Sequence, residues 1–246
     1  MSIAFWVIAA LVLWSLWVVL AHWLSANPRG DPVTGLGWRL LRLYARVVHR
    51  LRVEGLENVP RARRPGPLVV VANHTAGVDP LLIQAACPFF IRWMMALDMR
   101  LPALEWFWVW VEIISVDREG REVVATREAI RYLADGGVVG IFPEGNLERP
   151  ARHILPFLPG IGLIVHRSKA PVLPVVVSDT PQVDPAWSSL WRPSRATVRF
   201  LPRVDYQGSG LHSAAIAEDL RQRFVTATGW PRCDIVDGLG RGGKGK

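Results

Sequence analysis

The chain has 246 residues, of which 50% are hydrophobic and 12 are Trp, and its formal net charge is +8. A mean hydropathy of +0.21 is high for a freely soluble protein, and the length suits one sizeable α/β domain with an appendage. The 2 cysteines cannot build a disulfide framework, and no zinc-binding His-Glu-x-x-His, dinucleotide-binding glycine pattern or phosphate-binding loop occurs.

A long apolar segment lies near the start of the sequence. Residues Ile3 to Leu20 carry no charge, and Ser15 is their single polar side chain. Such a run is long enough to cross a bilayer core of about 30 Å, whereas a secretory signal has a basic start and a shorter apolar core. Arginines occur after the run and none precedes it, which favours a cytoplasmic location for the bulk of the chain. We therefore predict a membrane-anchor helix in residues 1–26, with the bulk of the chain on the cytoplasmic face.

An amphipathic helix is predicted next, from Trp38 to Leu51. At about 100° per residue, its arginines fall within an arc of about 80°, and leucine, valine and tyrosine side chains cover the opposite side. The arginines are Arg39, Arg42, Arg46 and Arg50. We predict an interfacial helix on anionic lipid, within a helix-and-linker segment spanning residues 27–60, and keep a helix packed on the sheet as the alternative.

The basic character of the chain also raises the question of nucleic acid. Lysine occurs only at Lys169, Lys244 and Lys246, and the arginines are spread along the chain without an aromatic-interleaved platform or a recognition helix. An anionic membrane explains the charge better, so we predict membrane lipids and no nucleic acid as partners. The Gly-rich basic end predicts a disordered tail over residues 231–246.

Apolar runs alternate with helical patterns between these two ends. The predicted strands are 68–72, 89–94, 113–116, 138–142, 172–177 and 196–201, and the predicted helices are 79–86, 101–110, 123–134 and 211–226. This alternation predicts an α/β fold with a mixed, mostly parallel sheet covered by helices, in a catalytic domain spanning residues 61–230.

His74 and Asp79 follow the first of these strands, where an α/β sheet usually places its chemistry. Five steps along a helix rotate through about 140° net, so the two side chains cannot share one helical face. They meet only if the chain bends, which Gly77 allows, while Asp79-Pro80 suits the cap and first position of a new helix. We predict that the histidine and the aspartate lie together at the end of this strand.

Four sequence blocks resemble the glycerolipid acyltransferases typified by bacterial 1-acylglycerol-3-phosphate acyltransferase. The blocks, in the order of that family, are Asn73-His74 with Asp79, Ser115 to Arg118, Phe142-Pro143-Glu144-Gly145, and Leu173-Pro174-Val175. The resemblance implies transfer of a fatty acyl group from acyl-CoA or acyl carrier protein to a lysophospholipid hydroxyl. The simplest acceptor is 1-acylglycerol 3-phosphate, and the product would be phosphatidic acid.

The resemblance also implies roles for individual residues. His74 is the expected general base, and Asp79 orients its ring and stabilises the imidazolium that forms. Direct attack by the acceptor needs no Ser or Cys nucleophile, and no metal or cofactor is expected. The expected substrate-binding residues are Asn73, Arg118, Glu144, Gly145 and Arg149.

The sequence departs from the family pattern beside the expected phosphate site. Family members commonly continue Glu-Gly-Thr-Arg and carry Phe-Lys-x-Gly further on, whereas this chain has Asn146-Leu147 and Phe157-Leu158. Two cations are therefore missing, and Arg149 and Arg152 are the candidates to replace them. Another lysolipid, glycerol 3-phosphate or an amino-lipid stays open as the acceptor, as does a lipid-binding module without catalysis.

Overall fold

One sheet of seven strands forms the centre of the computed structural model, which describes residues 2–117 and 122–234. The strands are β1 (Arg52–Glu54), β2 (Leu68–Ala72), β3 (Arg92–Ala96), β4 (Ile114–Val116), β5 (Val138–Ile141), β6 (Val172–Ser178) and β7 (Thr197–Phe200). Their order across the sheet is β1-β7-β6-β2-β5-β3-β4. Every neighbouring pair is parallel except β6 and β7. The predicted mixed, mostly parallel sheet is confirmed.

Helices cover both faces of this sheet. The α-helices of the described residues are α1 (Ile3–Leu24), α2 (Pro32–Val47), α3 (Asp79–Ala86), α4 (Glu105–Trp110), α5 (Glu122–Ala134), α6 (Pro159–Ser168) and α7 (Ser213–Thr228). One apolar cluster joins Val70 of β2 to α3, and the other joins Val69 and Val71 to α5, α6 and α7. Both faces of β2 are therefore buried, which explains its unbroken apolar sequence.

The two N-terminal helices contact each other, and α2 also contacts α3. Asn27 donates hydrogen bonds to the carbonyls of Leu24 and Asp31, and Asp31 caps the next helix by accepting from the Thr34 amide. Arg29 binds the Trp110 carbonyl and the Glu112 carboxylate, which ties the connection to the end of α4. These contacts fix where α1 leaves the rest of the protein.

Helix α1 has no buried residue and is long and apolar enough to cross a membrane. Its most apolar window has a mean hydropathy of 2.5, and it is the one helix within residues 2–117 and 122–234 that meets these requirements. The predicted membrane helix is thus present as an element, with its side chains uncovered by protein.

Helix α2 differs from its prediction in both extent and orientation. It begins at Pro32 and ends at Val47, because Asp31 caps its first turn, rather than spanning Trp38 to Leu51. Part of the expected cationic stripe contacts protein: Arg42 donates to the carbonyls of Ala85 and Cys87, and Arg39 lies 3.5 Å from the centre of the Trp23 ring. Arg42 and Arg46 are nevertheless exposed, and beside them lies an exposed apolar stripe that consists of Val33, Leu36, Leu40, Leu43 and Val47.

The predicted domain boundaries need two corrections. Strand β1 falls within the predicted linker of residues 27–60, but it pairs with β7 and so belongs to the sheet. The tail predicted from residue 231 includes residues that contact the domain, because Arg232 forms a β-bridge with Ile154 and Asp234 lies 2.7 Å from Arg221. Residues 235–246 of that predicted tail lie outside the described residues.

Two elements of the domain also differ from the sequence prediction. Helix α6 was not predicted, and the strand expected at 89–94 begins only at Arg92. The Gln84 side chain binds the Phe89 carbonyl and the Ile91 amide, so a side chain occupies backbone groups that a longer strand would have paired.

Candidate active site

Three loops that carry polar side chains leave the sheet at the same edge. Val71 of β2 is in register with Ile141 of β5, and Ala72 is in register with Val175 of β6. Because these strands run parallel, the segments after Ala72, Ile141 and Ser178 emerge side by side. The Asn73 to Asp79 loop and the Phe142 to Gly145 turn are brought together by this arrangement.

The Asp79 carboxylate lies at the centre of the first loop, fully buried. Its Oδ2 accepts hydrogen bonds from His74 Nδ1 at 3.1 Å, from the Thr75 amide at 2.6 Å and from the Ala76 amide at 2.8 Å. The Thr75 hydroxyl donates to Oδ1 at 3.1 Å. Four donors around one carboxylate hold the loop around it. The predicted contact between the His74 and Asp79 side chains is confirmed.

Gly77 serves this loop in a way that differs from the expected bend. A Cβ at this position would lie 2.6 Å from the carbonyl oxygen of Ala186. The glycine is therefore required for close approach of the segment that covers the loop, rather than for a left-handed backbone conformation.

The His74 ring is held by aromatic stacking as well as by Asp79. Its ring centre lies 4.0 Å from that of Phe142 at an interplanar angle of 18°, and the Phe142 ring in turn stacks on Trp93 at 5.0 Å. Gly140 makes room for Trp93, because a Cβ there would come within 2.5 Å of the indole. The ring of His74 is thus fixed on one face and at one nitrogen.

The second ring nitrogen of His74 is the reactive position of this arrangement. The Asp79 carboxylate only accepts hydrogen bonds, so Nδ1 carries the proton and Nε2 has a free lone pair. Nε2 makes no hydrogen bond to any residue that the structure describes, and the side chain is 22% exposed. A neutral imidazole held in this tautomer can take a proton from a hydroxyl group.

The Glu144-Gly145 turn lies beside His74. The His74 amide donates to Glu144 Oε2 at 3.4 Å, and Glu144 is buried with Oε1 lacking a hydrogen bond among the described residues. Burial, reinforced by the charge of Glu148, raises the pKa of Glu144 well above its ordinary value. Gly145 has a φ of 67°, a left-handed conformation that favours glycine.

Two of the predicted substrate-binding residues contact other parts of the protein, and a third lies outside the described residues. Asn73 is fully buried, and its amide pairs with the Val177 carbonyl at 3.0 Å and the Val177 amide at 2.8 Å, which joins β2 to β6. Arg149 donates to the Glu148 carbonyl at 2.7 Å and lies 3.8 Å from Asp184. Arg118 lies outside the described residues. The substrate contacts of these residues stay predictions.

Sequence reasoning missed several side chains that build the site. Thr75 binds Asp79, Phe142 and Trp93 support the imidazole, and Glu148 lies next to His74. Phe142 belongs to one of the four sequence blocks, and Thr75 and Glu148 could have been suggested by their positions within or beside two of these blocks. No sequence signal links Trp93 to the histidine, because strand β5 separates β3 from β2 in the sheet.

The polar surroundings of the site extend beyond the two loops. A cavity of about 260 Å³ is lined by Glu148, Arg152, Thr180, Gln182 and Trp230, among others. Within residues 2–117 and 122–234, no group of three or more His, Cys, Asp and Glu side chains is placed to hold a metal ion.

Comparison with known proteins identifies related chains. The family model described as Acyltransferase matches residues 50–178. A 1-acyl-sn-glycerol-3-phosphate acyltransferase of Borreliella burgdorferi is 33% identical over 104 residues, which are 41% of this chain and 40% of the relative. A protein of the same name from Limnanthes douglasii is 22% identical over 188 residues, covering 68% of this chain and 62% of the relative. The matched part thus spans less than two thirds of the length of each of these curated relatives.

A solved structure shares the fold. The crystal structure of the 1-acyl-sn-glycerophosphate acyltransferase PlsC from Thermotoga maritima aligns with a TM-score of 0.65 and 22% sequence identity. The alignment covers 81% of this chain and 82% of the other. The arrangement of sheet and helices is therefore one that a solved protein already displays.

Proposed function

Because the chain belongs to the Acyltransferase family, we propose that it transfers a fatty acyl group from acyl-CoA or acyl carrier protein to the hydroxyl of a lysophospholipid. The simplest acceptor is 1-acylglycerol 3-phosphate, which would yield phosphatidic acid. One observation carries the proposal: His74 Nδ1 lies 3.1 Å from the buried Asp79 carboxylate, which leaves Nε2 as a base at the edge of the sheet.

The proposed reaction begins with proton transfer. As the acceptor oxygen attacks the acyl carbonyl carbon, Nε2 of His74 takes the hydroxyl proton, and Asp79 stabilises the resulting imidazolium. The tetrahedral intermediate then collapses, the carbon–sulfur bond breaks, and the imidazolium returns the proton to the departing thiolate. The ester forms without a covalent acyl-enzyme, so the chain needs no Ser or Cys nucleophile.

A second acceptor class is favoured by the charges around the base. The Glu144 carboxyl and the backbone of Glu148 contact His74, and these two buried acidic residues supply no positive charge to a phosphate. Arg149 points one terminal nitrogen toward Asp184. The same chemistry on an acceptor that presents hydroxyl or amino groups near these carboxyls, such as another lysolipid or an amino-lipid, is the alternative.

An acceptor panel tests the function and separates these alternatives. Membranes containing the protein are given radiolabelled acyl-CoA or acyl carrier protein with 1-acylglycerol 3-phosphate, other lysolipids, glycerol 3-phosphate or an amino-lipid. We expect labelled product with at least one acceptor, above matched membranes that lack the protein. A lipid that binds the purified protein but is not acylated by either donor would instead support a lipid-binding module.

We also propose that the protein is anchored in the membrane by α1, with the catalytic domain on the cytoplasmic face. All side chains of α1 are outside the protein core, and the apolar stripe of α2 defined above lies within an arc of about 80° on that helix. Exposed apolar surface of this extent is favourable in lipid and unfavourable in water. The arginines that follow α1 support the cytoplasmic orientation.

Removing residues 1–25 tests the anchor. The truncated protein should be released from membranes by high salt, while the full chain should require detergent, because α2 alone supplies only interfacial contacts. Equal resistance of the two proteins to salt would contradict anchoring by α1. Protease added to intact cells or spheroplasts tests the orientation, and digestion of the catalytic domain from the outside would contradict it.

A further inference from the structure

Glu148 is a buried acidic residue that the proposed reaction does not use. It lies on the loop after β5, is 1% exposed, and donates its backbone N–H to the His74 carbonyl at 2.6 Å. This bond connects the loop of Glu144 directly to the residue that carries the base. Any displacement of Glu148 is therefore transmitted to the backbone of His74.

Within the described part of the chain, only one of the two carboxyl oxygens of Glu148 accepts hydrogen bonds. Its Oε1 accepts from the Arg152 amide at 3.1 Å and from Gln182 Nε2 at 2.7 Å, whereas Oε2 is buried without a hydrogen bond among the described residues. A buried charge that lacks partners is costly, and a protonated carboxyl avoids that cost. Burial accordingly raises the pKa of Glu148 to about 7, against interactions with the Arg152 amide and with the side chains of Gln182 and Asn73, which lower it.

The neighbouring charges do not neutralise this carboxyl. Glu144 is buried beside it with an unpartnered Oε1, and the Asp79 charge raises the pKa of both glutamates. The two nearby guanidinium groups face other acids: Arg152 Nη2 lies 3.2 Å from Asp179, and Arg149 Nη2 lies 3.8 Å from Asp184. His74, the remaining titratable neighbour, contacts Asp79. Protonation is thus the means by which this cluster lowers its negative charge.

We propose that Glu148 is a positioning residue that acts in its neutral form, holding the His74 loop to the Gln182 loop. As a neutral acid it tolerates burial next to Glu144 and Asp79. When it loses its proton, repulsion within the acidic cluster displaces the loop and, through the His74 carbonyl, the imidazole. The kinetic consequence of this proposal rests on the proposed acyl transfer. The protonation of Glu148 in the folded protein is independent of that function.

The kinetic test compares pH profiles of purified protein in detergent. In the wild type, kcat should fall by about tenfold for each pH unit above the ionisation of Glu148, as a single essential proton requires. Glu148→Gln, a neutral isostere, should keep its activity on the alkaline side, whereas Glu148→Ala should lose about 10²-fold in kcat at every pH because His74 is misplaced. Glu57→Gln, at an exposed glutamate, is the matched control and should follow the wild type.

Two kinetic results would overturn the proposal. One is an alkaline fall in Glu148→Gln that matches the wild type, since no ionisation at position 148 then remains. The other is an increase in KM without any loss of kcat in Glu148→Ala, which would indicate a substrate contact instead of positioning.

A stability measurement tests the protonation independently of activity. Since the folded-state pKa is raised from 4.5 to about 7, the stabilising contribution of Glu148 is complete below pH 4.5 and is lost as pH rises through 7. The unfolding midpoint of the wild type should fall relative to that of Glu148→Gln between pH 5 and 8. If the unfolding midpoints of the two proteins change in parallel with pH, the proposal is overturned, even if no acceptor is found. If the midpoints diverge, Glu148 is protonated in the folded protein, and this part of the proposal is supported even if the protein proves inactive.

Discussion

Two histidines in hydrogen-bonded networks serve different ends in this protein. His49 is fully buried, with Nε2 at 2.8 Å from the Tyr44 hydroxyl and Nδ1 at 2.9 Å from the Ser194 hydroxyl. Tyr44 donates its proton to the Leu190 carbonyl, so it accepts from His49 Nε2–H. His74, by contrast, contacts a carboxylate through Nδ1 and has a partly exposed side chain.

The difference shows what makes a histidine reactive in this fold. His49 uses both nitrogens to join the end of α2 to the segment before β7, so it has no lone pair for a substrate. His74 has one nitrogen fixed by a buried charge and one that is free. The number and type of partners at each ring, rather than burial alone, distinguish the structural histidine from the candidate base.

The substitution Asp79→Asn should have the largest effect on the difference between the two histidines, because it removes the charge that orients His74. An amide at this position also presents an N–H toward the amides of Thr75 and Ala76, so the preferred tautomer and the loop geometry are both lost. We expect a decrease in kcat of about 10⁴-fold, as for an aspartate that holds a catalytic histidine. Steady-state acyl transfer and circular dichroism measure activity and folding separately.

Asp135→Asn, at an exposed aspartate just beyond α5, is the control and should retain wild-type activity. A folded Asp79→Asn protein with undiminished kcat would show that the carboxylate does not support the base.

The substitution His49→Leu tests the structural role of the other histidine. This substitution leaves the Ser194 hydroxyl without its buried partner, so the free energy of unfolding should fall by about 1–3 kcal/mol. The reaction itself does not use His49, and we expect kcat of the folded variant to stay near that of the wild type. Chemical denaturation with parallel kinetics measures both quantities, and a loss of kcat without a loss of stability would contradict the structural role.

The smallest expected effect is the contribution of His49 to the pH dependence of the free energy of unfolding. Burial lowers the pKa of His49 from its usual 6.5, so the unfolded chain binds a proton more readily than the folded protein. The stability that His49 contributes is therefore present above pH 6.5 and is lost as pH falls below that value. Unfolding midpoints of the wild type should decrease more steeply than those of His49→Leu between pH 7 and 5.5. Equal slopes would show that His49 does not titrate differently on folding.

The fold was predictable wherever one feature of the sequence determined the element. The unbroken valines of β2 require burial on both faces, and a helix follows them as predicted, although α3 begins at Asp79 with Val78 at the cap position, one residue earlier than expected. Strand β1 was missed, because three residues at the edge of a sheet show no periodicity and depend on β7 for pairing. The orientation of α2 was also missed, since Arg42 binds the carbonyl end of α3, a contact that only the tertiary structure supplies.

The site was predictable to a similar degree. The spacing of His74 and Asp79 and the Glu144-Gly145 block indicated which residues meet at the edge of the sheet. The support of Trp93 through Phe142 and the proximity of Glu148 to His74 depend on strand order and loop path. Asn73 illustrates the limit of motif reasoning, because its amide joins β2 to Val177 in β6.

The most direct test of the central claim is the rate of acyl transfer by His74→Ala, compared with His166→Ala at an exposed histidine of α6. If Nε2 of His74 is the general base, the first variant should lose about 10² to 10⁴-fold in kcat while folding normally, and the second should match the wild type. Equal rates for the wild type and a folded His74→Ala protein would contradict the account.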